Sequence, residues 1–147
     1  MFEKRVILYF DPFYFKNGNP AKPKYFLVLG LDGEKSVLAS LPTRKDAIPV
    51  AYENESGCVE KPEINLNCFV ISANEAVTEC GRSFDFKTYM YGHQLDEYEI
   101  KFLKEIYPIK DSDYFVWGRM KESIFNQLID CLKNSRSVKR KFRKILN

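Results

Sequence analysis

The chain has a single histidine, His93, and none of its four cysteines stand as CxxC. A zinc site built on closely spaced Cys and His is therefore not expected. Long apolar runs are missing too, and nothing approaches the roughly 20 residues of a bilayer span. The opening MFEKRVILYF has too short an apolar part for a signal peptide and lacks a small-residue cleavage site. There is no internal repeat and no low-complexity segment. These absences lead to the expectation of a cytoplasmic protein with no metal, no cofactor and no membrane partner. In that compartment Cys58, Cys68, Cys80 and Cys131 are expected as free, partly buried thiols.

What is present is a chain of 147 residues, enough for a single domain spanning 1–147 with a real core. Twelve Phe and nine Tyr favour strands and also supply surfaces on which bases stack. The net charge of +3 is unevenly spread. Seven of the 23 basic residues lie in a tail at 133–147, where no acid follows Lys133; the other 16 face 20 acids, leaving the body near −4. A mildly acidic body thus carries a basic tail, suited to RNA phosphates or an acidic protein segment. In the tail Val138, Phe142, Ile145 and Leu146 recur at helical spacing, so it extends the last helix or adds another.

The strongest local signal runs from 22 to 45, KPKYFLVLGLDGEKSVLASLPTRK. Two apolar runs flank Leu31-Asp32-Gly33-Glu34, and Asp-Gly tolerates the positive φ of a tight hairpin. If the runs pair, Lys22 and Lys24 meet Thr43-Arg44-Lys45 at one end, and an anionic guest fits between them. Before this hairpin, residues 5–10 (RVILYF) are apolar on both faces, as in a central strand. A loop at 13–23 follows, with Asn-Gly and Asn-Pro as turn chemistry. Residues 46–67 read as a surface excursion, and 68–71 (CFVI), 83–91 and 114–117 as strands. The pattern predicts a helix over 96–107, opened by Asp96 and Glu99 as a variant capping box. The last helix begins at Lys121, its stripe formed by Ile124, Phe125, Leu128, Cys131 and Leu132. The fold class is mainly β with helices, as a small bent barrel.

The pieces RVILYFDPF, KPKYFLVLG, VLASLPTRK and GRMKESIFNQLIDCL, taken in this order, resemble the PemK/MazF-type toxins of toxin–antitoxin systems. The resemblance implies an SH3-like β-barrel capped by a C-terminal helix, and a homodimer. It implies metal-independent endoribonuclease activity on single-stranded RNA, neutralised by an antitoxin protein. The family's arginine near the strand-two proline falls closest to Lys24, with Lys22 the neighbouring candidate, and its hydroxyl residue after strand three falls at Thr43. Here the Gly-Asp pair that opens strand one is replaced by Lys4-Arg5, and Pro23 precedes Lys24. Lysine is a mobile point charge where arginine grips phosphate with a planar fork, so Arg44 becomes the candidate for the missing guanidinium.

Cleavage through the 2′-hydroxyl needs that group aligned and deprotonated, charge neutralised on the phosphorane, and a proton for the leaving 5′-oxygen. The candidate catalytic residues are Lys24, Thr43 and Arg44. Lys22, Lys139, Arg140 and Arg143 are candidates for gripping RNA phosphates, and Phe13, Tyr14 and Phe15 for stacking on bases. His93 has the intrinsic pKa for proton transfer, but a lone loop histidine is more often a surface residue. Solvated strand-end cations and a turn threonine are the plainer account of Lys24, Arg44 and Thr43. A non-catalytic SH3-like module that binds nucleic acid or protein is the alternative.

Overall fold

The computed structural model describes residues 2–41 and 56–146. In chain order the elements are β1 (Val6–Phe13), β2 (Lys22–Asp32), β3 (Lys35–Leu41), β4 (Gly57–Lys61), β5 (Leu66–Ile71), β6 (Thr88–Tyr91), β7 (Asp96–Glu99), α1 (Ile100–Ile106), β8 (Tyr114–Arg119), α2 (Glu122–Lys133) and α3 (Arg140–Ile145). They form two antiparallel sheets, one ordered β7-β3-β2-β1-β8 and one β4-β5-β6. The protein is mainly β and capped by C-terminal helices, as expected. The described residues form two separate hydrogen-bonded sheets rather than one closed barrel.

The larger sheet is buried on both faces, which is why β1, β2 and β3 are apolar on both. One face carries Ile7, Leu27, Leu29, Val37, Ala39 and Leu41, packed against Phe69, Ile71 and Met90 of the second sheet and Phe125, Leu128 and Leu132 of α2. The alternate residues Leu8, Phe10, Phe26, Val28 and Leu38 form a second core with Phe13, Leu103, Tyr107 and Tyr114. Phe10 sits at its centre, within 6.2 Å ring-to-ring of Phe13, Phe26, Tyr107 and Tyr114.

The central hairpin forms with its turn one residue later than the Asp-Gly signal placed it. Asp32 pairs with Lys35, so the loop is Gly33-Glu34. Gly33 takes φ 60°, the first-position geometry for which a type II′ turn needs glycine. Pro23 lies inside β2, but the register slips from Phe10↔Lys24 to Phe13↔Lys22, and this irregularity accommodates a residue with no N–H.

Four expectations are corrected. The helix expected at 96–107 begins only at Ile100, because residues 96–99 pair with β3 as an edge strand. No side chain caps the helix, so the ladder overrides the capping signal. The strand expected at 83–91 is confined to β6. The excursion at 46–67 yields β4, with 46–55 outside the described residues. The thiols are not all free: Cys58 of β4 is joined to Cys131 of α2, Cα to Cα 5.5 Å, leaving Cys68 buried and Cys80 exposed.

The basic segment folds onto the body. Val138, Phe142 and Leu146 are buried in the first core. The Ile145 methyl would lie only 3.3 Å from a Cβ built on Gly30, so the glycine lets α3 approach β2 closely. Lys141 reaches Glu97 of β7 at 3.1 Å.

Candidate functional site

Strand alternation puts Lys24 on the same face as Phe26 and Val28, toward the 13–23 segment. There it lines a cleft of about 460 Å³ with Phe15, Lys16, Asn17, Asn19, Ser40, Gln94, Asp96 and Tyr98. Lys22 leaves β2 two residues earlier and places its ammonium 5.8 Å from the centre of the Phe15 ring. The segment that carries Phe15 is pinned by Lys16, whose Nζ donates to Asp96 Oδ1 at 3.0 Å and to the Glu97 carbonyl at 2.7 Å. The same ammonium stands 4.2 Å over the Tyr98 ring. Burial, with Asp96 and Tyr107 adding to it, pushes the Tyr98 hydroxyl up to about 12, so it stays a neutral donor at physiological pH. Lys16, Lys24, three side-chain amides and the rings of Phe15 and Tyr98 thus line one opening, with Lys22 beside Phe15, chemistry that fits a phosphate with a base beside it.

Thr43 and Arg44 lie outside the described residues. Leu41, two residues before Thr43 in sequence, pairs with Tyr25, the residue after Lys24. The candidate phosphate-gripping residues separate into two groups. Lys24 lines the cleft and Lys22 stands over its Phe15 ring, whereas Lys139, Arg140 and Arg143 belong to the α3 region, which meets β2 at Gly30 on the other face. Gly30 is six residues along the strand from Lys24, roughly 20 Å away. Lys139 and Arg140 are exposed, while Arg143 is half-buried and its Nε has no hydrogen-bond partner. His93 is exposed beside the Tyr91 ring; its neighbour Gln94, and not His93, lines the cleft.

Of the loop aromatics proposed for stacking, Phe13 is consumed by the second core, and only Phe15 reaches the cleft. Tyr14 is 58% exposed and lines a different groove of about 550 Å³ with Phe102, Leu103, Ile106 and Tyr107. Sequence reasoning missed Lys16, Asp96 and Tyr98. Lys16 directly follows the Phe13-Tyr14-Phe15 triplet, which is a usable signal, but Asp96 and Tyr98 fall in the stretch whose pattern predicts a helix, and only strand pairing brings them here.

Among the described residues, no three His, Cys, Asp or Glu side chains gather as a metal site would require. No described helix is long and apolar enough to cross a membrane. No protein-family model, no curated protein and no solved structure matches this chain.

Proposed function

We propose that this protein is a PemK/MazF-like endoribonuclease that holds single-stranded RNA in the Lys24 cleft and cuts it without a metal ion. The observation that supports this most is a cleft lined by Lys16, Lys24 and Phe15, with Lys22 over the Phe15 ring, beside the strand pair that leads into Thr43 and Arg44. In the proposed reaction the 2′-oxygen attacks phosphorus and the 5′-oxygen leaves. The products are a 2′,3′-cyclic phosphate and a 5′-hydroxyl. Lys24 and Arg44 offset the charge that builds on the non-bridging oxygens, and Thr43 hydrogen-bonds one of them. The proposal brings with it an SH3-like barrel topology, a homodimer, an antitoxin partner and a cytoplasmic site of action. In a reducing cytoplasm the Cys58–Cys131 bond would have to open.

A second reading is a non-catalytic module. It is favoured by the groove beside α1, where Phe102 and Ile106 are 55% and 49% exposed and offer an apolar surface to a protein segment. One experiment separates the two. Purified protein is incubated with mixed RNA in EDTA, and the products are resolved on a denaturing gel. The enzyme yields fragments with cyclic-phosphate ends that disappear in Lys24→Ala and in Thr43→Ala. RNA that stays intact but shifts on a native gel identifies a nucleic-acid-binding module, and RNA neither cut nor bound removes both nucleic-acid readings and leaves the protein-binding one.

A further inference from the structure

On the opposite face of β2 from Lys24, the neighbouring Tyr25 opens onto a separate cleft of about 470 Å³. Its lining includes Arg82, Phe84, Asp85, Phe86 and Trp117. Phe84 and Trp117 are stacked, 4.7 Å between centroids and 13° between planes. Tyr25 meets both edge-on, at 5.8 and 5.6 Å. The Arg82 guanidinium lies 5.5 Å from the Trp117 ring centre. Phe86, 56% exposed, presents a further ring with no polar tip of its own.

The loop that carries Arg82 is fixed. The Arg82 N–H donates to Thr78 Oγ1 at 2.8 Å, its carbonyl accepts from the Val77 N–H at 2.8 Å, and Gly81 turns with φ 88°. Thr78 is itself buried and bridges to Met120. The cleft wall is therefore built on framework rather than on a loose segment.

Each lining group has a matching demand. Flat rings and a guanidinium plane take a flat ring by stacking. Asp85 is exposed and only accepts hydrogen bonds, so the ring should present donors. Arg82 supplies a cation for a phosphate on the same ligand. Guanine alone among the RNA bases presents two adjacent donors, N1–H and the N2 amine, to a carboxylate. The volume lies within the range of small-ligand sites. We infer that this cleft binds a guanine nucleotide, with the base stacked against the Arg82–Trp117–Phe86 surface, its donor edge on Asp85 and its phosphate on Arg82. This goes beyond the RNA cleft and does not depend on it.

Trp117 is the only tryptophan in the chain, so tryptophan fluorescence, excited at the red edge where the nine tyrosines do not absorb, reports this cleft. Guanosine 5′-monophosphate is titrated into the full chain at low salt, alongside the adenosine, cytidine and uridine monophosphates and ribose 5-phosphate. The expected result is saturable quenching with the guanine nucleotide tightest. Arg82→Ala and Phe86→Ala should each weaken it about tenfold, the scale of one lost stacking partner. Asp85→Asn should abolish the preference for guanine. All three side chains are exposed, and circular dichroism checks that the variants fold. Lys24→Ala, which disables the RNA cleft, should reproduce the wild-type curve. Quenching that does not saturate, equal quenching by ribose 5-phosphate, or curves unchanged in Arg82→Ala and Phe86→Ala would each overturn the assignment. A curve lost in Lys24→Ala and kept in Arg82→Ala would also overturn it.

Discussion

Reducing the Cys58–Cys131 bond should lower stability by about 4 kcal/mol. The two residues are 73 apart in sequence, and the ring they close holds β5, β6, β7, α1, β8 and most of α2. Loop-closure entropy for a ring of that size gives about 4 kcal/mol, acting through the unfolded chain rather than through contacts in the folded one. Domains of this size commonly have total stabilities of about 5–15 kcal/mol, so the effect is large. The assay is urea unfolding followed by circular dichroism, with and without dithiothreitol. With a urea slope of about 2 kcal/mol per molar, the midpoint should fall by roughly 2 M. The slope should rise on reduction, because the unfolded chain becomes less compact. Cys58→Ser should match the reduced protein and be insensitive to dithiothreitol. Thiol titration in denaturant should find two reactive thiols, Cys68 and Cys80, before reduction and all four after it. Identical midpoints under both conditions, or four thiols at the outset, would refute the reasoning.

Other outcomes follow from the packing. Phe10→Ala removes a fully buried ring from the middle of the second core and should cost about 3–5 kcal/mol, read as a lowered urea midpoint. Gly92→Ala would put a Cβ 2.3 Å from Asn67 Oδ1 and 2.7 Å from a Val138 methyl, so about 1–3 kcal/mol of overpacking should appear as a lower Tm. Glu97 accepts from Lys141, which with Lys35 holds its carboxyl below the usual glutamate range. Below the unfolded-state pKa the unfolded chain binds the proton more readily. This contribution is therefore present at neutral pH and lost as pH falls through the folded-state pKa. Thermal melts should show Glu97→Gln less stable than wild type at pH 7, with the gap narrowing toward pH 3. A gap independent of pH would contradict the ion-pair account.

Short-range chemistry legible in the sequence determined the strands around the Asp-Gly signal, the mainly β class, and the stripe of α2. Hairpins and amphipathic stripes are built from neighbours, and the unbroken apolar run of RVILYF already marked β1 as buried on both faces. The pairing of the two runs around Asp-Gly also placed Lys22 and Lys24 at one end of the hairpin. Which partners they meet was decided by tertiary structure. Asp96 and Glu99 carry a capping pattern that favours a helix, but the edge of β3 offers backbone hydrogen bonds that outweigh it, and this puts Asp96 and Tyr98 in the cleft with Lys24. The Cys58–Cys131 pairing and the burial of Phe142 and Leu146 depend on how α2 and α3 dock against the sheets. Arg82 and Trp117 lie 35 positions apart in sequence, and no local propensity records that they share a cleft. Contacts between residues far apart in the chain depend on how completed elements pack, and a one-dimensional pattern holds no measure of that distance.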